Sequence, residues 1–104
     1  MKDVYVVSAA RTPVGKRKGY LREWKVPALL AASLKEAVSR ADLDPALLDD
    51  VLVGTVYQMG EQGFTLARMG LLEAGFPEAV PGISLNRQCG SSLSAIQTGY
   101  AAIA

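Results

Sequence analysis

The sequence GISLNRQCGSSLSAIQTGYAAIA, residues 82–104, predicts a short strand followed closely by a helix. GISL is a short apolar run typical of a strand, and we expect the helix to begin at Cys89. Apart from Gln97, Tyr100 and the hydroxyl residues, this helix is small and apolar around its whole circumference. Such a helix is normally buried on all sides, so we expect further layers of structure around it.

Two similar units precede this one along the chain. VYVVSAA, residues 4–10, and VLVGTVY, residues 51–57, are rich in β-branched residues and predict strands, the first of them buried. A helix with Pro27 in its first turn follows the first strand and ends at residues 42–45. A second helix covers residues 65–74. The order strand–helix, repeated three times as βαβαβα, predicts an α/β fold with right-handed crossovers and an at least partly parallel sheet.

The second helix carries signals for both of its ends. Thr65 is the predicted N-cap, because its hydroxyl can accept a hydrogen bond from the first turn. Gly75 fits the position just after the helix, and Pro77 enforces the stop. The third helix has no such signal, since the chain stops at Ala104 without a C-cap glycine or a basic last turn. This, together with the lack of enough layers to enclose the helix, predicts that the chain is part of something longer.

The composition narrows the class of protein. Half of the 104 residues are hydrophobic, which argues against disorder, and 11 basic residues against 10 acidic ones argue against a nucleic-acid binder. The apolar run near the N-terminus is too short for a signal peptide or a membrane span. The single cysteine cannot form an internal disulfide bond, so we expect a reducing compartment, the cytoplasm.

The chain contains no histidine, which excludes zinc sites built on imidazole and any catalytic pair with a histidine base within these residues. Asp49 and Asp50 are expected to be solvated turn residues, since nothing nearby completes a metal site. Arg11 is expected to pair internally in a turn. The basic run at residues 16–18 predicts a solvated loop. Arg68 is expected to support the fold or a subunit contact.

Cys89 falls at the junction between the third strand and the third helix. The first turn of a helix has free backbone N–H groups and a partial positive charge, which stabilise a thiolate or an oxyanion on a substrate carbonyl. Gly90, Ser91 and Ser92 are small, so an acyl chain can approach the sulfur closely. From the residues alone, a reactive cysteine and an inert buried one remain open alternatives.

Three stretches resemble the thiolase family, in that family's order. LNRQCGSSLSAIQTGYAAI, residues 85–103, is similar to the acyl-enzyme segment of thiolases: an aliphatic residue, N-x-x-C, a small residue, two serines and an apolar helix. SAARTPVGKRKGYL, residues 8–21, resembles their R-T-P-x-G stretch, and residues 51–77 resemble their second strand and the helix after it. The loop GEQGFTLAR departs from the commoner Q-N-P-A-R, which leaves the roles of Gln62 and Thr65 open.

The resemblance implies a three-layer thiolase-like fold, in which residues 1–104 form an incomplete N-terminal domain. It implies an acyltransferase that cleaves 3-ketoacyl-CoA to acetyl-CoA and a shortened acyl-CoA, or that runs the reverse Claisen condensation. Cys89 matches the residue that carries the acyl group in a ping-pong scheme, and its backbone N–H matches one donor of an oxyanion hole. The family's histidine base, second cysteine, oxyanion-hole asparagine and CoA-binding loop belong to later segments.

The resemblance also sets expectations about partners. Coenzyme A is a substrate, and neither a permanently bound cofactor nor a metal is expected. The resemblance suggests a homodimer or a homotetramer, without nucleic acid or membrane as a partner. Two alternatives stay open: a 3-ketoacyl synthase-like condensing enzyme, which shares a cysteine at a buried helix start, and a non-catalytic fragment or assembly module.

Overall fold

The computed structural model describes all of residues 1–104 and has three α-helices and two strands. The elements in chain order are α1 (Val26–Arg40), β1 (Val51–Gly54), α2 (Leu66–Glu73), β2 (Gly82–Leu85) and α3 (Ser91–Ile103), with short 3-10 turns at Pro45–Leu47 and Gly60–Gln62. The predicted α/β class is confirmed.

The two strands form a parallel sheet whose register pairs Val51 with Gly82 and Gly54 with Leu85. Because β1 and β2 run in the same direction, their carboxyl ends meet at one edge of the sheet. The loop after β1 and the turn that holds Cys89 both leave from this edge. The sheet therefore brings two of the three thiolase-like stretches together.

The side chains of β1 alternate between two layers, as the pleat of a strand requires. Val51 and Val53 face a core that α1 and α2 cover, whereas Leu52 faces α3, where its Cδ1 atom lies near Gly99. The sheet thus lies between α1 and α2 on one face and α3 on the other. The core consists of five buried residues: Val51, Ala67, Leu71, Phe76 and Val80.

The strand predicted at residues 4–10 is wrong. This segment has no regular secondary structure, and Tyr5, Val6 and Val7 are 76%, 89% and 71% exposed. Its β-branched residues favour an extended backbone, but a strand also needs a neighbour that pairs with its N–H and C=O groups. No strand of these 104 residues lies beside it, so the sheet has two strands and the βαβαβα order lacks its first strand.

The end of α2 follows the prediction closely. Gly75 has a φ of +78°, and its N–H donates to the carbonyl of Leu72 at 3.0 Å. The N–H of Phe76 donates to the carbonyl of Leu71 at 3.0 Å, which completes a Schellman motif. The predicted stop at Gly75 and Pro77 is confirmed.

The start of α2 differs from the prediction. Thr65 occupies the N-cap position, but its φ is +55° and its side chain makes no capping hydrogen bond. The hydroxyl of Ser84 in β2 accepts from the N–H of Ala67 instead, at 3.2 Å. A cap of this kind is not visible in the sequence near the helix, because the donor and the acceptor are 17 residues apart.

The second predicted strand is shorter in the structure. The loop between β1 and α2 is therefore longer than predicted, and it contains the 3-10 turn Gly60–Gln62. β1 ends at Gly54 rather than at Tyr57. Gln62, whose role the sequence left open, accepts a hydrogen bond from the hydroxyl of Thr55 at 3.0 Å and so ties the loop to the end of β1.

Helix α3 packs one face against β1 and leaves the other exposed. Ser91 and Ala95 are buried on the inner face, whereas the side chains on the outer face are exposed: Leu93, Ile96, Tyr100 and Ile103. The sequence predicted a helix that is buried on all sides. Within these residues, α3 is covered on one side only. No helix of the chain combines the length and the hydropathy needed to cross a bilayer.

Candidate active site

Cys89 lies in the turn between β2 and α3, with its side chain exposed. The predicted helix start at Cys89 is wrong by two residues, because Gly90 is the N-cap and the helix begins at Ser91. The reason lies one residue earlier, where Gln88 has a φ of +48° and turns the backbone away from the helical path. The thiol thus stands in front of the helix and not within its first turn.

A set of short hydrogen bonds closes this turn. The Asn86 side-chain oxygen accepts from the N–H of Gln88 at 2.9 Å. The N–H of Gly90 donates to the carbonyl of Arg87 at 2.9 Å, and the N–H of Ser91 donates to the carbonyl of Gln88 at 3.1 Å. Cys89 is therefore held in a closed loop of backbone and not on a free segment.

The side chain of Ser91 links the two sides of the turn. Its hydroxyl accepts from the N–H of Arg87 at 3.0 Å and donates to the carbonyl of Gln88 at 2.6 Å. Ser91 is only 4% exposed. The sequence predicted only that this serine is small. Its two hydrogen bonds were not predictable, because they depend on the left-handed conformation of Gln88.

Three backbone N–H groups between Cys89 and the first turn of α3 have no hydrogen-bond partner: those of Cys89, Ser92 and Leu93. The last two belong to the first turn of α3, where the helix dipole places a partial positive charge. No acidic residue in this turn offsets that charge. The N–H of Cys89 is on the same residue as the sulfur and can bind an oxyanion that forms there, whereas the nitrogen of Ser92 is packed against Gly54.

Gly54, at the end of β1, supports the start of α3. A Cβ atom at this position would lie 2.3 Å from the carbonyl carbon of Ser91 and 2.3 Å from the nitrogen of Ser92. Only glycine permits such a close approach of a strand to the first turn of a helix. A glycine that ends a strand is a signal for close backbone contact, but the sequence does not say which segment makes it.

The chain supplies no base to the thiol. Cys89 is a free cysteine with an exposed side chain, and the chain has no histidine that could act as its base. No group of three or more His, Cys, Asp or Glu side chains is placed to hold a metal ion. What these residues offer is an accessible thiol and the free backbone N–H of the same residue.

Comparison with known proteins identifies the fold that carries this turn. The sequence profile described as the thiolase N-terminal domain matches residues 4–104. The chain belongs to the thiolase family. The fold and the family that residues 85–103 indicated are therefore confirmed.

Named thiolases match nearly the whole of this chain. The chain is 46% identical to the steroid 3-ketoacyl-CoA thiolase FadA6 of Mycobacterium tuberculosis, over 99% of its own length and 25% of that protein. It is 47% identical to a 3-ketoacyl-CoA thiolase of Saccharophagus degradans, over 98% of its own length and 27% of that protein. The chain thus spans about a quarter of the length of the curated relatives it matches.

Solved structures agree with the sequence relatives. The Acat5 thiolase of Ascaris suum, solved in complex with coenzyme A, superposes with a TM-score of 0.91 at 32% identity, over 98% of this chain and 26% of that one. The acetyl-CoA acetyltransferase of Bacillus anthracis superposes with a TM-score of 0.84 at 34% identity, over 90% of this chain and 24% of that one.

Arg68 and Arg11 make structural hydrogen bonds in this chain. Nη1 of Arg68 donates to the carbonyls of Glu78 and Val80, at 2.9 and 2.6 Å, which confirms that Arg68 supports the fold. Arg11 donates to the carbonyl of its neighbour Thr12 at 3.0 Å, so its expected internal pairing is local.

A cavity of about 390 Å³ lies away from Cys89, between the start of α1 and residues 60–64. Glu61 on its wall accepts from the N–H of Val26 at 3.0 Å and pairs with Nζ of Lys25 at 3.2 Å. The hydrogen bond from Val26, followed by that from Lys25, holds the pKa of Glu61 below its ordinary value of 4.5. Glu61 thus caps α1, whose own N-cap residue, Lys25, makes no side-chain capping hydrogen bond to the helix.

Proposed function

We propose that this chain is the N-terminal part of a thiolase subunit and that Cys89 carries the acyl group in its reaction. The observation that supports this most strongly is the combination of an exposed thiol with an unpartnered backbone N–H on the same residue, at the strand–helix turn of a chain that matches the thiolase N-terminal domain. The 46% identical relative is named a 3-ketoacyl-CoA thiolase, which favours a thiolase over the synthase-like alternative.

In the degradative direction, the thiolate of Cys89 attacks the 3-keto carbonyl of a 3-ketoacyl-CoA. The carbonyl oxygen becomes an oxyanion, which the free N–H of Cys89 can stabilise. The bond between C2 and C3 then breaks, its electron pair stays on C2, and protonation of C2 releases acetyl-CoA. The shortened acyl group remains on the sulfur as a thioester until the thiol of a second coenzyme A displaces it.

The same steps in reverse give a Claisen condensation of two acyl-CoA molecules. Since the chain has no histidine, the groups that move protons in either direction come from elsewhere in the complete subunit. One relative is named a steroid 3-ketoacyl-CoA thiolase and another a β-ketoadipyl-CoA thiolase. Because these two names refer to substrates with different acyl groups, the proposal extends to acyl-CoA substrates as a class.

We further propose that the complete subunit works in the cytoplasm, in fatty acid or related acyl-CoA metabolism, as a homodimer or a homotetramer. The single cysteine of these residues supports a reducing compartment. Coenzyme A is its substrate and not a resident cofactor.

Thiolysis by the complete subunit tests the proposal. Acetoacetyl-CoA with free coenzyme A should yield acetyl-CoA, and Cys89→Ala should lose this activity entirely. Ser94→Ala is the matched control, because the Ser94 side chain makes no hydrogen bond and lies one turn further along α3. Turnover by Cys89→Ala at the rate of Ser94→Ala would refute the assignment.

A further inference from the structure

We propose that the Ser91 hydroxyl is a positioning group for the Cys89 thiol, because it holds the strained turn that carries Cys89 between β2 and the start of α3. This inference rests on the proposed function of Cys89. It assigns Ser91 no contact with substrate.

The turn needs a restraint because Gln88 is strained. A φ of +48° places Gln88 in the left-handed region, which costs free energy for a residue with a Cβ atom. Such a conformation persists only when the surroundings hold it, and residues of this kind cluster at functional sites. Gln88 is the residue directly before Cys89, so any relaxation of its backbone moves the thiol.

The Ser91 hydroxyl is placed to supply that restraint. It accepts from the N–H of Arg87 at 3.0 Å and donates to the carbonyl of Gln88 at 2.6 Å, and these two groups flank the strained residue. Without the hydroxyl, the N–H of Arg87 has no partner, since it makes no other hydrogen bond in the chain. The other side-chain hydrogen bond in the turn comes from Asn86, whose side-chain oxygen accepts from the N–H of Gln88.

The position of Ser91 is itself fixed by the packing of α3 against β1. It is the first residue of α3, and its backbone lies against Gly54 so closely that no Cβ atom fits between them. The restraint therefore runs from β1, through the first residue of α3, to the turn before Cys89. A hydroxyl that is fixed in this way can hold the turn, whereas one on a mobile segment cannot.

A positioning role for Ser91 predicts that loss of its hydroxyl slows the attack by Cys89 and leaves substrate binding unchanged. Ser91 is 4% exposed, so its loss should leave coenzyme A binding nearly unchanged. A small displacement of a nucleophile, by contrast, lowers the rate of attack, and a misplacement of about 1 Å can cost on the order of a hundred-fold. Ser91→Ala should therefore lower kcat and spare KM.

The test compares Ser91→Ala with Ser94→Ala in the complete subunit, by thiolysis kinetics and by the rate at which iodoacetamide alkylates Cys89. We expect Ser91→Ala to lower kcat roughly ten- to a hundred-fold, to change KM less than about two-fold and to slow alkylation several-fold. Ser94→Ala should match the wild type in all three. Wild-type kcat and alkylation in Ser91→Ala would overturn the inference, as would a change in KM alone.

A double-mutant comparison keeps the inference testable if Ser91→Ala is poorly folded. Glycine adopts the left-handed conformation without penalty, so Gln88→Gly removes the strain that Ser91 restrains. Ser91→Ala should then slow alkylation much less on the Gln88→Gly background than on the wild-type background, and an equal effect on both would overturn the proposal. Alkylation needs no acyl transfer, so failure of Cys89 to accept an acyl group would count against the proposed function alone.

Discussion

Gly54 and Ser91 are in backbone contact, and this contact joins the sheet to the turn that carries Cys89. A Cβ atom on Gly54 would lie 2.3 Å from the carbonyl carbon of Ser91, which is shorter than any normal contact. Because the two groups belong to a strand and a helix start, neither can move without moving the core. The position of the thiol is thus set by the packing of α3 on β1.

Gly54→Ala should therefore displace the start of α3. We expect the complete subunit to lose about 3 kcal/mol of stability, the upper end for overpacking, because the clash is with backbone and not with a movable side chain. Thiolase activity should fall with it. Thermal unfolding and thiolysis of acetoacetyl-CoA measure the two effects.

Gly99→Ala is the control for Gly54→Ala, at the other end of the same α3–β1 contact. Its Cβ atom would meet only the Cδ1 atom of Leu52, at 3.2 Å, which a small side-chain rotation relieves. We expect little change in stability or activity. Equal damage from the two substitutions would show that the close contact at Gly54 has no special role.

Arg68→Met should destabilise the fold without a specific effect on catalysis. The guanidinium donates to the carbonyls of Glu78 and Val80, and hydrogen bonds from a charged group contribute on the order of 2 kcal/mol. Urea denaturation of the complete subunit should show a loss of this size. Arg22→Met removes only an exposed ion pair with Glu23 and should cost about 0.5 kcal/mol or less, so similar losses for both would contradict the role given to Arg68.

The Glu61 cap of α1 makes a pH-dependent contribution to stability. Since the folded-state pKa of Glu61 is lowered, the contribution is fully present above the ordinary pKa of 4.5 and is lost as the pH falls through the folded-state value. Glu61→Gln should therefore be less stable than the wild type at pH 7, and the difference should shrink below pH 4.5. Glu73→Gln, which removes a carboxylate without a hydrogen bond or ion pair, should match the wild type at pH 7. A Glu61→Gln difference that stays constant down to pH 3 or so would contradict the cap.

The isolated chain should not catalyse thiolysis. Residues 1–104 contain the thiol but no histidine to act as a base, so we expect no thiolysis of acetoacetyl-CoA by this piece alone. The complete subunit serves as the positive control in the same assay. Cleavage by residues 1–104 that disappears in Cys89→Ala would mean that the base lies within them.

Much of the fold was predictable because its signals are local. Pro27 lies in the first turn of α1, Gly75 and Pro77 end α2, and the strand–helix order around Cys89 follows from apolar runs and their spacing. The strand at residues 4–10 was wrongly predicted for the opposite reason. Its residue types favour an extended backbone, but whether a strand forms depends on a neighbour that no local pattern reveals.

The site was predictable only in part, for a similar reason. The place of Cys89 between a strand and a helix was predictable from the sequence, whereas its role as acyl carrier came from the resemblance to thiolases and stays a prediction. The conformation of the turn was not predictable. Residues in the left-handed region are usually glycine or asparagine, and a glutamine such as Gln88 does not indicate this conformation. The two hydrogen bonds of Ser91 follow from that turn and were hidden with it.

The most direct test of the central claim is to find the acyl group on the protein. The complete subunit is mixed with acetoacetyl-CoA in the absence of free coenzyme A, quenched in acid and digested, and the peptide that contains Cys89 is analysed by mass spectrometry. We expect one acetyl group on the Cys89 sulfur, which disappears when coenzyme A is added before the quench and is absent from Cys89→Ala. An acetyl group on another residue, or full turnover with Cys89 never acylated, would contradict the claim.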